Sequence, residues 1–279
     1  THISVKGPLD SGARAALNFP SSSFLKGPAI VNATLTGHRG SILTADMAMD
    51  LGPAVLSFDV IGLNKPAGFP ASAHVNATFG PESSIRAETM KISGPGISAN
   101  GGAAFDKDGH LTQLSFPSVH VGSVDDFSFN LTRGPAGQEI SIRGRSLDGS
   151  RLASKGKNDG ATNGSGMSNG ADSDMSLEGP FHIDAQIDRL MLREGVSIAP
   201  FALQVSGIGD KPSSLSLSGS LSKTGTISGE IVSGEGGRKM TFATNDAGRL
   251  AKGFFGFTSM KGGRIDLTAT LPGKAIDTA

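Results

Sequence analysis

Apolar and polar residues alternate over short stretches from one end of this chain to the other. Between Ser72 and Phe79, Ala73, Val75, Ala77 and Phe79 fall on one side, and Ser72, His74, Asn76 and Thr78 on the other. The segment from Asp126 to Thr132 sets Phe127, Phe129 and Leu131 against Asp126, Ser128, Asn130 and Thr132. Phe181, Ile183, Ala185 and Ile187 oppose His182, Asp184, Gln186 and Asp188, and Leu215, Leu217 and Leu221 oppose Ser214, Ser216, Ser218 and Ser220. Near the end, Ile265, Leu267, Ala269 and Leu271 oppose Arg264, Asp266, Thr268 and Thr270. A period of two repeated this often predicts half-buried antiparallel strands, each with one apolar face.

Breaks fall about every 8–12 residues, the spacing of a long meander or a sandwich. Gly7-Pro8, Gly27-Pro28, Gly52-Pro53, Gly94-Pro95-Gly96 and Gly134-Pro135 mark them, and Asp106-Lys107-Asp108-Gly109 reads as a hairpin turn. This punctuation predicts roughly sixteen strands. One stretch reads as a helix: Asp246 caps a run from Ala247 to about Phe255, with Ala247, Leu250, Ala251 and Phe254 on one face. Gly248 and Gly253 inside it argue for a short packing helix. From Ser154 to Ser176 the chain offers almost nothing to bury, so a disordered polar insert is expected there. The expected organisation is a strand-rich segment at 1–152, the insert at 153–176, and a second strand-rich segment at 177–279 that includes the helix and a last strand.

Composition sharpens this picture. Lys plus Arg and Asp plus Glu both number 25, so the basic excess that a nucleic-acid binder needs is missing. With no cysteine, disulfide frameworks and thiolate metal sites are excluded. There are 15 Phe but no Trp or Tyr, which argues against the aromatic girdles of an outer-membrane barrel. No apolar run approaches the roughly 20 residues of a spanning helix. Thr1 stands where an initiator Met would be, and the chain reads as a portion of something longer, with any targeting segment elsewhere.

Candidate chemistry reduces to coincidence. Ser23-Phe-Leu-Lys26, Ser98-Ala-Asn100 and Lys223-Thr-Gly225 match, in order, the three short motifs of penicillin-binding enzymes. That chemistry needs the serine at the start of a buried helix, and Gly27-Pro28 ends any helix within one turn. His2, His38, His74, His110, His120 and His182 are scattered without metal-ligand spacing. Asp106 and Asp108 begin like a calcium loop but lack its later bidentate Glu. Gly207-Ile-Gly209 lacks the third Gly and the helix of a dinucleotide fingerprint. Asn32, Asn76 and Asn130 open glycosylation sequons but sit on polar strand faces. The chain reads as non-catalytic, with no cofactor and no metal site expected.

A sheet with one apolar face must cover it. Two sheets can seal each other in a closed sandwich, giving a structural or adhesive module without cargo, or one sheet can curve into a trough filled by something else. An apolar trough suits acyl chains, since burial is worth about 0.8 kcal/mol per CH₂. Periodicity leaves both readings open.

Two segments tilt the balance. The run Thr244-Asn-Asp-Ala-Gly-Arg-Leu-Ala-Lys252, continuing through Phe254-Phe-Gly-Phe257 and Met260-Lys-Gly-Gly-Arg-Ile-Asp-Leu-Thr-Ala-Thr-Leu-Pro-Gly273, resembles the closing region of AsmA-like bacterial envelope proteins, in particular their YhdP-type branch. Ile140-Ser-Ile-Arg-Gly-Arg-Ser-Leu-Asp-Gly-Ser-Arg-Leu152 resembles a segment that precedes a variable polar insert in that branch. The resemblance covers about 45 residues. It implies a periplasmic protein anchored in the inner membrane by a segment outside this chain, with a β-groove that carries phospholipid towards the outer membrane. The implied partners are phospholipid acyl chains and the two membranes. The implied working part is the groove lining: Val75, Phe79, Phe127, Phe129 and Leu131 in the first half, and Ile183, Ile187, Leu215, Leu217, Ile265 and Leu267 in the second. A charge at Phe129 or Ile183 is then expected to block lipid passage.

Overall fold

A computed structural model describes residues 1–16, 25–38, 41–58, 63–80, 84–150, 177, 179–209, 211–234 and 237–271. The described residues are mainly strand, and fifteen strands follow one hydrogen-bonded path that does not close into a barrel, with a sixteenth paired off it. The chain divides into two compact units. The first takes Thr1–Ser123, Ser128–Gly134 and Gly170–Ser176; the second takes Val124–Phe127, Pro135–Asn169 and Leu177–Ala279. The insert expected at 153–176 lies outside the described residues.

The first unit opens with β1 (His2–Leu9), helix α1 (Ser11–Ala16), β2 (Leu25–Lys26), β3 (Ala29–His38) and β4 (Ser41–Asp50). It continues through β5 (Val55–Phe58), β6 (Leu63–Lys65), β7 (Ser72–Phe79), β8 (Ile85–Gly94), β9 (Ile97–Phe105), β10 (Leu111–Val121) and most of β11 (Asp125–Gly134). Its main sheet runs in the order β1-β3-β4-β7-β8-β9-β10-β11, and β2, β5 and β6 form a separate small sheet. Helix α1 escapes the sequence pattern because it is short. Asp10 starts it, its Oδ1 accepting from the Ala13 N–H at 2.8 Å.

Registers place the alternating residues of neighbouring strands in rows. Ile3, Leu35, Ala45, Ala77, Ala87, Ala103 and Leu114 form one such row. From Ala45 to Leu114 all of them are buried. Irregularities interrupt the pairing of β3 with β4, β7 with β8, β8 with β9, and β9 with β10. Bulges of this kind add local twist and bend the strands. The small side chains admit the resulting close packing. At Gly101 a Cβ would lie 2.1 Å from the Ser115 carbonyl oxygen and 2.5 Å from the Phe116 ring.

Two buried cations tie the loops of this unit. Arg14 donates through Nη1 to the Leu9 and Gly27 carbonyls, both at 3.0 Å. Lys65 is 2% exposed, and its Nζ donates to the carbonyls of Ala54 (2.7 Å), Pro66 and Phe69 (both 3.0 Å) and Gly52 (3.5 Å). Burial lowers its pKa from the ordinary lysine value, partly offset by the Asp50 charge.

The second unit holds β12 (Gly137–Asp148), β13 (Pro180–Met191), a 3₁₀ turn (Arg193–Gly195), β14 (Ser197–Ile198), β15 (Phe201–Ile208) and β16 (Lys211–Ser220). After these come β17 (Thr226–Gly234), β18 (Gly237–Thr244), helix α2 (Ala247–Phe255) and β19 (Ile265–Leu271). The order is β12-β13-β15-β16-β17-β18-β19, with β14 also on β13. An antiparallel meander is expected throughout, and one pair corrects that: β12 and β13 run parallel, Gln138 opposite Phe181 and Asp148 opposite Met191. A parallel pair needs a crossover of a dozen or more residues to bring the chain back to the starting end. The long connection between Asp148 and Pro180 meets that need.

Helix α2 forms where the pattern places it. Asp246 caps it, Oδ1 accepting from the Arg249 N–H at 3.1 Å, and Gly256 ends it in the left-handed conformation at φ 75°. Its internal glycines are sites of close approach. A Cβ at Gly248 would lie 2.7 Å from Lys261 Cα, and one at Gly253 would lie 2.9 Å from Leu192 Cδ1.

Candidate functional site

In the second unit the registers assemble two uncharged apolar rows. Ile140, Ile183, Val205, Leu215, Ile231, Met240 and Ala269 form one. Ile142, Ala185, Leu203, Leu217, Gly229, Phe242 and Leu267 form the other. A third row, on the same face, runs Gly144, Ile187, Phe201, Gly219, Ile227, Thr244, Ile265. Directly opposed residues share a sheet face, so the first two rows make one continuous apolar surface; in the third, Thr244 is polar, its Oγ1 donating to the Thr226 carbonyl at 2.8 Å.

Burial along the rows is mixed. Ile140, Ile142, Ala185, Ile187, Ile227 and Ile231 are buried, whereas Leu203, Val205, Leu215, Leu217, Met240 and Phe242 are half-buried. Leu267 on the last strand is 44% exposed.

The expected lining residues therefore divide. Val75, Phe127, Phe129, Leu131 and Ile187 are buried, Phe129 at 2% exposure and Leu131 at 1%. Phe79, Ile183, Leu215, Leu217 and Ile265 are half-buried. Ile183 and Leu215 share a row with Val205 between them, and Leu217 and Leu267 share the next. The same surface includes Leu203, Val205, Met240 and Phe242, which were not singled out above. Their signal was in the sequence as the alternations Phe201-Leu203-Val205 and Met240-Phe242.

The opposite face is polar. In the second unit it carries Arg143, whose Nη2 meets Asp184 Oδ2 at 2.5 Å. A concavity of about 410 Å³ lies at Arg143, Gln186 and Ala202. In the first unit a second concavity, of about 610 Å³, is lined by residues that include Lys6, Asn32, Ala48, His74 and Lys91, a row across the polar face. His74 is held there by Asp46 at 3.1 Å. Both concavities thus have polar-face floors.

Asp106, Asp108 and His110 bring ligand atoms within 4.8 Å of one another, but their bonds are those of a hairpin turn. Asp106 Oδ1 accepts from the backbone N–H groups of Asp108 and His110, each at 2.9 Å, and Lys107 holds Asp108. These bonds, led by the His110 N–H, hold the Asp106 carboxyl below its ordinary pKa. Of the three motifs matching penicillin-binding enzymes, Ser23 lies outside the described residues, Ser98 sits in β9, and Lys223 is exposed in the turn after β16. No helix among the described residues is long and apolar enough to cross a membrane.

No family model, curated protein or solved structure matches this chain.

Proposed function

We propose that the half-open apolar face of the second unit holds acyl chains, and that the chain is the non-catalytic lipid-binding portion of an AsmA-like envelope protein passing phospholipid between the inner and outer membranes. The observation that carries this reading is the pair of rows through Leu215 and Leu217, without a single charged or hydrogen-bonding side chain across seven strands. At about 4.8 Å per strand those rows span about 29 Å. A leaflet's acyl chains span about 15 Å, half the hydrocarbon thickness. A chain lying across the rows would cover about three strands. Sliding by one strand exchanges one aliphatic neighbour for another at nearly constant energy. Escape into water would cost about 0.8 kcal/mol for each CH₂ exposed.

Mass spectrometry of an organic extract from protein purified without detergent tests this. Stoichiometric phospholipid is expected. Lipid-free protein with a single cooperative thermal transition would overturn the reading in favour of a closed structural or adhesive module. That second reading has its own support in the first unit, where Val75, Phe129 and Leu131 are 8%, 2% and 1% exposed without any lipid.

A further inference from the structure

The segment that closes α2 and leads into β19 exposes large apolar side chains and holds them in place. Phe255, Phe257 and Met260 are 54%, 61% and 50% exposed. The rings of Phe254 and Phe255 have centroids 6.5 Å apart, and those of Phe255 and Phe257 are 6.2 Å apart.

Both ends of the segment are fixed by backbone hydrogen bonds. At the start, the Gly256 N–H donates to the Lys252 carbonyl at 3.0 Å and the Phe257 N–H to the Ala251 carbonyl at 3.3 Å, so the last turn's carbonyls hold the chain as it leaves the helix. At the end, the N–H groups of Ala247 and Gly248 donate to the Gly263 and Gly262 carbonyls at 2.8 and 2.7 Å. The returning strand of the loop thereby satisfies two donors that a helix N-terminus leaves open. Gly248 brings the two backbones to this distance, as its lack of a Cβ requires. The loop is a built presentation of apolar groups, and such clusters mark interaction sites.

Charge selects the partner. From Ala247 to Ile265 the chain carries Arg249, Lys252, Lys261 and Arg264 and no acidic residue, within a chain whose net charge is zero. Arg249 donates to the Leu221 carbonyl and Arg264 pairs with Asp266, so Lys252 and Lys261 are the cations that flank the exposed rings. Phenylalanine and methionine beside lysine suit the boundary between acyl chains and anionic headgroups, where rings enter the apolar layer and ammonium groups stay among the phosphates. We infer that this loop docks the protein on the surface of an anionic phospholipid membrane, with Phe255, Phe257 and Met260 entering the lipid. The inference does not depend on the acyl-chain face, since the loop needs no cargo to dock.

The absence of tryptophan makes the test direct: Phe257→Trp places a single indole in the full chain. Vesicles of phosphatidylcholine containing phosphatidylglycerol should shift its emission to the blue and carry unmodified protein into the pellet. Phosphatidylcholine alone should do so at least tenfold less well. Replacing Phe255, Phe257 and Met260 together by Ser should lower sedimentation at least tenfold while leaving the thermal transition in place. Lys252→Gln with Lys261→Gln should remove most of the preference for anionic vesicles and its salt sensitivity. Leu217→Glu should still dock, so failure of the acyl-chain reading and failure of this one are separable. The inference is overturned if anionic vesicles neither shift the emission nor sediment the unmodified protein. It is equally overturned if the triple Ser variant sediments as well as the parent, or if the emission shifts with protein concentration alone, which would assign the loop to a second copy of the chain.

Discussion

Leu217→Glu puts the acyl-chain reading at risk on a single side chain. Leu217 lies mid-sheet in its row, between Leu203 and Gly229, and is half-buried before any lipid arrives. Complete burial of a leucine is worth about 1.5–3 kcal/mol, so the half still exposed contributes about 1 kcal/mol to an acyl chain laid over it. A glutamate there would also have to shed water from its carboxylate under the chain, which costs a few kcal/mol more. The sum, about 3–4 kcal/mol, corresponds to a rise in Kd of two to three powers of ten. Without lipid the carboxylate keeps much of its hydration, and the loss of fold stability should be about 1 kcal/mol.

The assay is displacement of a fluorescent fatty acid at equilibrium, with the thermal transition measured on the same sample. Two controls bracket it. Leu217→Met keeps volume and apolarity and should bind within about threefold of the parent. Ser218→Glu places the same charge on the other face, between Ala202 and Ser228, and should leave binding unchanged. If Leu217→Glu binds within threefold of the parent while folded, or if Ser218→Glu is the variant that fails, the apolar rows are not the binding surface. The charge test suggested by alternation at Phe129 reads out something else. At 2% exposure, losing the ring alone costs about 3–5 kcal/mol, and a buried carboxylate adds to that. Against a total stability of about 5–15 kcal/mol, lipid loss in that variant would report unfolding.

Three further outcomes follow from the packing. Lys65→Met removes the donor shared by four carbonyls and should destabilise the first unit by about 2–4 kcal/mol in denaturant titration; no change would mean that water replaces the ammonium group. Gly248→Ala would gain up to about 1 kcal/mol from helix propensity, yet its Cβ meets the backbone of Lys261 and Met260, so a net loss of stability and weaker vesicle docking are expected. Asp106 has a folded-state pKa below its unfolded one, so its contribution is present at neutral pH and is lost as pH falls through the folded value, below about pH 4. Asp106→Asn should flatten that acid limb of the stability–pH curve, and an unchanged limb would refute the assignment.

Strand positions were legible because the period of two depends on side chains alone, and Asp126 to Thr132 or Phe181 to Asp188 declare their faces without reference to any partner. Helix α2 was legible from Asp246 and the apolar spacing after it. Direction of pairing was not. Nothing in Gln138 to Asp148 distinguishes a strand that meets β13 parallel from one that meets it antiparallel, and only the length of the following connection carries the information. Degree of burial was equally hidden. Phe129 and Leu217 occupy equivalent places in their alternations, yet one is sealed and the other half-open, because exposure depends on what the sheet packs against. The glycines of α2 looked like weaknesses because propensity is local, while their close contacts with Lys261 and Leu192 are tertiary.

The difference between the two units follows from side-chain size and strand irregularity. In the first, the row from Ala45 to Ala103 is alanine at every position, and bulges interrupt four of the strand pairings. Small side chains let backbones and rings approach, as at Gly101 and Phe116, and bulges supply the bend that brings them together. From Ala45 to Leu114 the face is closed in this way, although Ile3 and Val5 on the edge strand stay 46% and 48% exposed. In the second, Leu203, Leu217, Phe242 and Leu267 occupy the corresponding role, and a single irregularity, between Ser206 and Gly207, interrupts β15 and β16. There Leu203, Val205, Leu215, Leu217, Met240 and Phe242 remain half-buried, while Ile227 and Ile231 are buried. An apolar surface of that kind lowers its free energy only when something apolar arrives. On the proposed reading, the more closed unit would serve as scaffold and the half-open one as carrier.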